Sequence, residues 1–236
     1  MAKAPLVGAV KTRLTPPLTR EEAASLCACF LRDTVKNIAD VGTLHGAGGV
    51  IMYTPAEAIG AFDGTFPKDF QLIAQRGETL GDRLLNATRD LLARAYESIC
   101  LINSDSPTLP PAILGAAIQA LAPAGDRVVL GPAEDGGYYL IGLKRAHEHL
   151  FDRIAWSTST VFAQTLERAQ EISLDAVTLP AWYDVDDAMT LERLCDELFL
   201  SISFNKNSHS MYAAPHTREF LFHLMRTDGR GRIWAR

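Results

Sequence analysis

The stretch Ser98-Ile99-Cys100-Leu101-Ile102-Asn103-Ser104-Asp105-Ser106-Pro107 decides the fold class. The apolar run 98–102 reads as a strand, and Pro107 prevents the chain from continuing regularly just beyond it. Such a strand delivers Asp105 to the edge of a sheet. Upstream, 80–96 reads as a strong amphipathic helix. Leu84, Leu85, Leu91 and Leu92 fall on one side of it, and Asp82, Arg83, Arg89 and Asp90 face water. Downstream, Pro110 or Pro111 opens a helix that runs to about Leu121. A further strand over 126–130 leads into Gly131-Pro132-Ala133-Glu134-Asp135-Gly136-Gly137.

The same alternation extends in both directions. Thr19 caps a first helix, with Glu21 and Glu22 in the turn where negative charge suits the dipole. Strands are expected at 49–53, 70–74 and 176–179, and an extended apolar segment at 138–143. Helices are expected at 158–171, 187–199 and 216–225. Short apolar runs alternating with amphipathic helices predict an α/β fold with a mainly parallel, mixed sheet flanked by helices. The expected organisation is one domain over 1–200, a linker over 201–210 whose polar part is 205–210, and a C-terminal helical extension over 211–236. No internal repeat appears.

The totals agree with one such domain. The chain has 236 residues, 47% of them apolar and 22% charged, with a formal net charge of -5. A mildly acidic chain has no general pull on nucleic acid or anionic lipid. A phosphorylated ligand must therefore be held by local basic residues, backbone amides or a metal. The four cysteines, Cys27, Cys29, Cys100 and Cys195, form no C-x-x-C pair and read as free thiols of a reducing compartment. No segment approaches a membrane span and no signal peptide is evident, so cytoplasm is the expected location. Of the six histidines, only His216 and His223, two turns apart, approach a metal-like spacing, and surface or structural roles are expected for most. Trp156 and Trp182 sit beside strand-end loops, where stacking on a base competes with a core role. No Gly-x-Ser-x-Gly pattern supports a hydrolase.

Ligands of open α/β sheets bind beyond the carboxyl ends of the strands, and three such ends carry acids. Asp105 either ligates a hard divalent cation or caps the next turn. In the 131–137 loop, Gly136 and Gly137 permit close backbone approach or positive φ, and Glu134 and Asp135 can reach a metal or a ligand hydroxyl. The competing reading of that loop is a tight strand connection. In Asp184-Val185-Asp186-Asp187, the carboxylates of Asp184 and Asp186 share one side of an extended chain and repel unless a cation lies between them. There Asp186 or Asp187 also serves as the cap of the next helix. Near the start, Lys3 and Lys11-Thr12-Arg13 flank Pro5 and Gly8, and can hold a di- or triphosphate or form a solvated basic loop. The spacing is not that of a Walker loop.

Together, Lys3-Ala4-Pro5, Gly8 to Leu14, Asn103 to Leu109, Gly131 to Leu143 and Trp182 to Asp186 resemble a bacterial family of candidate glycosyltransferases. That family is similar to the 2-phospho-L-lactate guanylyltransferases, with which it shares a Lys-Ser/Thr-Arg-Leu motif, and to the nucleotide-diphospho-sugar transferase superfamily of GT-A fold. The resemblance runs from Lys3 to about Leu198, and Pro215-His216-Thr217-Arg218 resembles a further family motif. It implies phosphate contacts from Lys3, Lys11 and Arg13, and Mg2+ or Mn2+ on Asp105 with Asp184 or Asp186. Gly77 and Arg83, in Gly77-Glu78-Thr79-Leu80-Gly81-Asp82-Arg83, would lie near the base or ribose. That segment reads equally as the turn opening a helix. Asp135, Gly136 and Gly137 would line the acceptor side, and Asp105, Asp135 and Lys11 would carry the chemistry.

The implied reaction is transfer from a nucleotide-sugar to a small-molecule acceptor. The alternatives are nucleotidyl transfer with release of pyrophosphate and a non-catalytic nucleotide-binding module. Neither nucleic acid nor membrane is an expected partner, and a homodimer is compatible. The resemblance also implies an apolar strand ahead of Lys3, for which Met1-Ala2-Lys3 leaves no room. An upstream start, a truncation or another segment in its place would account for that. Its absence would expose the neighbouring strands and loosen the phosphate loop.

Overall fold

A computed structural model describes residues 1–62, 66–67, 69–200, 210–227 and 229–234. Its strands are β1 (Ala2–Lys3), β2 (Val50–Thr54), β3 (Gln71–Ala74), β4 (Ile99–Ile102), β5 (Arg127–Pro132), β6 (Tyr138–Leu143) and β7 (Asp175–Thr178). The α-helices are α1 (Arg20–His45), α2 (Leu80–Leu92), α3 (Pro111–Leu121), α4 (Val161–Glu171), α5 (Ala188–Leu200) and α6 (Pro215–Thr227).

The strands form two ladders, β1-β2-β3 and β4-β6-β5-β7. The first is wholly parallel. In the second, β6 runs antiparallel to β4 and β5, and β7 runs parallel to β5. The expected mixed α/β architecture is thus the one found. The reversal at β6 follows from the short 133–137 connection, since a parallel return needs a crossover of a dozen or more residues. Because β6 is reversed, β4, β5 and β7 point the same way and their carboxyl ends share one rim.

Side chains alternate between two cores. Val129 and Leu140 pack with Leu26 and Phe30 of α1, Ile113 of α3, Leu194 of α5 and Leu221 of α6. Val128, Leu130 and Ile141 pack with Leu84 and Leu85 of α2 and Ala169 of α4. Helices therefore cover both faces of this ladder, which explains why β4, β5 and β6 read as largely apolar runs.

The helix ends follow local chemistry. Thr19 caps α1 through a reciprocal pair with Glu22, and Gly46 closes that helix at φ 69°. Asp187 accepts the Thr190 N–H at 2.9 Å and so caps α5, which leaves Asp186 free for other partners. The helix expected over 80–96 ends at Leu92, and Ala95 takes φ 66° as the chain turns into β4.

Beyond Thr227, the described C-terminal residues fold back onto the body. The buried Asp33 carboxylate accepts the N–H groups of His216 at 3.1 Å and Thr217 at 2.8 Å, anchoring the start of α6 on α1. The Trp234 indole donates to Asp196 at 2.9 Å, and Arg232 pairs with Glu22 at 2.6 Å. Of the expected linker, all but Ser210 lies outside the described residues. Among the described residues no helix is long and apolar enough to cross a membrane. Cys27, Cys29 and Cys195 are buried free thiols, and Cys100 is half-buried.

At the start of the chain, β1 pairs with β2 through Ala2 opposite Tyr53 and Lys3 opposite Thr54. On its other side the Met1 amino group donates to the Ile102 carbonyl at 2.7 Å. This two-residue strand holds the position between the two ladders at their carboxyl ends. Beneath it lies a cavity of about 490 Å3, lined by Val50 and Met52 of β2, Ile99 and Leu101 of β4, and Leu114 and Ile118 of α3.

Candidate active site

The rim is assembled from three strand ends and one loop. Pairing of β4 with β6 continues one step beyond the ladder, with the Asn103 N–H donating to Tyr139 O at 3.0 Å, and this fixes where the 103–107 loop begins. Pairing of β5 with β7 also continues. Leu179 donates to Leu130 O at 2.8 Å, and Ala133 bridges Trp182. The Val185 N–H then donates to Asp105 O at 2.9 Å, laying the 182–186 segment against the end of β4. Lys11 and Arg13 arrive from the loop after β1. Lys11 takes φ 48° just ahead of a 3-10 turn over Thr12–Leu14, which puts both side chains on the rim.

These elements bring Lys11, Arg13, Asp105, Asp184 and Asp186 together. The Lys11 ammonium forms an ion pair with Asp105, and Nζ donates to Asp186 Oδ1 at 3.1 Å and to the Val185 carbonyl at 2.9 Å. Arg13 donates to Asp186 Oδ2 at 2.5 Å. The two basic side chains differ in setting: Lys11 is 5% exposed and Arg13 72%. Burial pulls the Lys11 ammonium toward neutrality, but Asp105 and Asp186 outweigh it and hold its pKa above the ordinary lysine value.

Asp184 is held differently. Its Oδ1 accepts the Ser106 hydroxyl at 2.5 Å and the Asn103 amide at 2.9 Å. Burial pushes its carboxyl up to about 6. The Ser106 hydrogen bond works against that rise, and nearby Asp105 adds to it. Asn103 and Ser106 thus carry Asp184, a role the motif 103–107 contains but sequence reading left unassigned.

Other expected site residues stand apart from this cluster in their contacts. Lys3 Nζ donates to Ala9 O at 2.7 Å and so braces the loop that carries Lys11. Asp135 is exposed and turns onto its own loop, with Oδ1 accepting the Gly137 N–H at 2.9 Å. Gly136 has φ 92°, and a Cβ there would lie 2.1 Å from Ser159 O, so this glycine answers a packing demand. Gly77, at φ 121°, gives its carbonyl to Arg83 Nε at 3.1 Å, and Thr79 and Asp82 form the capping box of α2. The 77–83 segment therefore opens a helix, as its alternative reading had it. Trp182 is 2% exposed and belongs to the core.

A polar network under the rim escaped sequence reading. Buried Glu197 accepts the Tyr183 hydroxyl at 2.6 Å and the Thr108 hydroxyl at 3.2 Å. The Arg193 guanidinium lies 3.8 Å from the Tyr183 ring centre and pairs with Glu134 at 2.6 Å. This network ties α5 to the loops at the ends of β4, β5 and β7. Helical periodicity marks Glu197 and Arg193 as surface positions, because period alone does not show that a second layer covers that face.

Among the described residues no group of three or more His, Cys, Asp or Glu side chains is disposed to hold a metal ion. Asp105 and Asp186 do converge, on the Lys11 ammonium. Two carboxylates with open positions suit a hard divalent ion that completes its shell with phosphate and water, as Mg2+ commonly does. The donor set fits that use and not a closed protein cage.

Over residues 37–158 the chain matches the family described as "Uncharacterized protein conserved in bacteria (DUF2064)". Among solved structures it is similar to a candidate nucleotide-diphospho-sugar transferase from Desulfovibrio desulfuricans G20. The identity is 29% and the TM-score 0.77, with 93% of this chain and 95% of that chain covered. It is also similar to CMP:2-keto-3-deoxy-manno-octonic acid synthetase, solved with CTP, at 13% identity and a TM-score of 0.50. That alignment covers 73% of this chain and 88% of that chain, and at this identity it speaks for the fold alone. A search of curated proteins gave no match. The family resemblance and the nucleotide-diphospho-sugar transferase fold expected from the motifs are the ones these comparisons return.

Proposed function

Because this chain belongs to DUF2064 and is built like nucleotide-handling transferases, we propose that its strand-end rim binds an activated nucleotide and transfers part of it to a small acceptor. The observation that carries this reading is the convergence of Lys11 and Arg13 with Asp105 and Asp186. Cationic side chains and paired carboxylates in one place suit a phosphate chain held with Mg2+ or Mn2+. Asp105 and Asp186 would hold the ion, with Asp184 behind them as a reserve carboxylate. The bound ion would supply charge neutralisation of phosphate oxygens.

In the first reading the donor is a nucleotide-sugar, as the name of the Desulfovibrio relative suggests. The acceptor oxygen attacks the sugar carbon, and a nucleoside diphosphate departs. Lys11 and Arg13 stabilise the negative charge that collects on the departing phosphates. Lys3 braces their loop. The segment bearing Gly77 and Arg83 lies toward the base or ribose. Asp135, with Gly136 and Gly137, serves the acceptor side, where its exposed carboxylate can take a proton from a hydroxyl.

A second reading rests on Lys11 and Arg13 lying two residues apart, one just ahead of a tight turn and one inside it. Two adjacent cations suit a triphosphate, and nucleotidyl transfer to an acceptor phosphate would then release pyrophosphate.

Product analysis separates the readings. The first predicts a nucleoside diphosphate from a panel of nucleotide-sugars with Mn2+. The second predicts pyrophosphate from a panel of nucleoside triphosphates with sugar phosphates. Neither product from either panel, together with no nucleotide-induced rise in melting temperature, would leave a non-catalytic fold and contradict both.

A further inference from the structure

We propose that Lys11 is a tethered cation that competes with the divalent ion for Asp105 and Asp186, so that the carboxylates take up the ion only when phosphate draws the ammonium away. This rests on the metal- and phosphate-binding reading given above and specifies how the two ligands are coupled.

An ammonium group has three N–H donors. All three of Lys11 are engaged, by Asp105, by Asp186 Oδ1 at 3.1 Å and by the Val185 carbonyl at 2.9 Å. None remains for a phosphate while that arrangement holds. The same carboxylate oxygens cannot serve a divalent ion without bringing two cations into contact, which strong repulsion prevents in a partly buried site. Asp105 is 38% exposed and Asp186 32%, so solvent and ions reach the carboxylates while the lysine stem stays covered. A charged group as covered as Lys11 needs an anion wherever it goes, and in this cleft a phosphate answers that need. Arg13 pairs with the other oxygen, Asp186 Oδ2, through one of its five N–H donors.

Metal and phosphate binding are then linked. Each favours the state in which Lys11 has left the carboxylates, so each tightens the other by the same factor. The device would keep the ion from settling on the carboxylates when no nucleotide is present.

The test is a titration of the full chain with Mn2+ alone, read as loss of the free-ion electron paramagnetic resonance signal. Wild type is compared with Lys11→Met, which keeps the stem and removes the charge, and with Lys11→Gln, which serves if the methionine variant fails to fold. The expected result is Mn2+ binding at least about tenfold tighter in the variants, lost again when Asp105→Asn is added. Equal affinity in wild type and variants overturns the inference and leaves the metal site standing. Binding by every form only when pyrophosphate is present also overturns it, since Lys11 is then not the barrier. No Mn2+ binding by any form, with or without pyrophosphate, removes the metal reading itself.

Discussion

The ammonium of Lys11 and the carboxylate of Asp105 form an ion pair that joins the loop after β1 to the end of β4, and the lysine in it is 5% exposed. Asp186 joins the pair from the loop after β7. Three separate stretches of the chain are thereby held around one cation.

Replacing Lys11 by alanine removes the charge on which both carboxylates converge. The expected loss in kcat/KM is about 10²- to 10³-fold, the range seen when one stabilising donor is lost from a transition state. Lys11 is buried and its loss leaves Asp105 and Asp186 without their shared cation, so the expected cost in stability is about 3 kcal/mol. Steady-state kinetics with urea unfolding checks both numbers. Arg13→Ala, at an exposed position, should lower kcat/KM in the same direction by a smaller factor.

Asp184 gives a pH signature. Its carboxyl is raised from 3.8 to about 6, so the folded state keeps a proton that the unfolded chain has already lost. Stability therefore falls as pH rises from about 4 to about 6, by on the order of 2 kcal/mol. Asp184→Asn keeps an oxygen acceptor for Ser106 and carries no charge. Urea unfolding in metal-free buffer should show a flatter profile over that window for the variant. An unchanged slope would show that Asp184 is not the group titrating.

Gly136 separates packing from ligand approach. Alanine at this site must take φ 92° with its Cβ 2.1 Å from Ser159 O. The expected loss is about 2–4 kcal/mol, measured by denaturant midpoint without any ligand. Gly137→Ala meets only the Asp135 carboxylate, at 3.2 Å, and should cost far less.

Asp135→Asn tests the acceptor-side assignment. The asparagine oxygen can still accept the Gly137 N–H, so the melting temperature should stay within a degree or so of wild type, as for an uneventful surface change. Turnover should fall by about 10²-fold if the carboxylate takes a proton from the acceptor. Full turnover in the variant would confine Asp135 to shaping its turn.

Much of this arrangement is legible in the sequence. The apolar run before Asn103 and the proline after Asp105 locate a strand end, and Thr19 and Glu22 mark the start of α1, because these signals are local. The two-residue spacing of Asp184 and Asp186 puts both carboxylates on one side of an extended segment, where Asp184 meets Asn103 and Ser106 and Asp186 meets Lys11 and Arg13. The partners themselves are not legible. Lys11 and Asp186 meet only because β5 and β7 pair and carry the 182–186 segment across, and no local signal encodes that register. Glu197 and Arg193 lie in an expected helix, but their partners Tyr183, Thr108 and Glu134 come from other loops and carry no local signal. Gly136 suggests ligand approach from sequence, and its neighbour Ser159 supplies a different cause.

In the proposed function, Asp105 and Asp186 bind a nucleotide through its phosphates and a divalent ion. Calorimetric titration with each nucleoside triphosphate and a set of nucleotide-sugars, with and without Mn2+, measures this directly in wild type and in an Asp105→Asn, Asp186→Asn double variant. The expected result is Mn2+-dependent binding of at least one nucleotide to wild type and its loss in the double variant. Binding that survives both substitutions, or that ignores Mn2+, would contradict it.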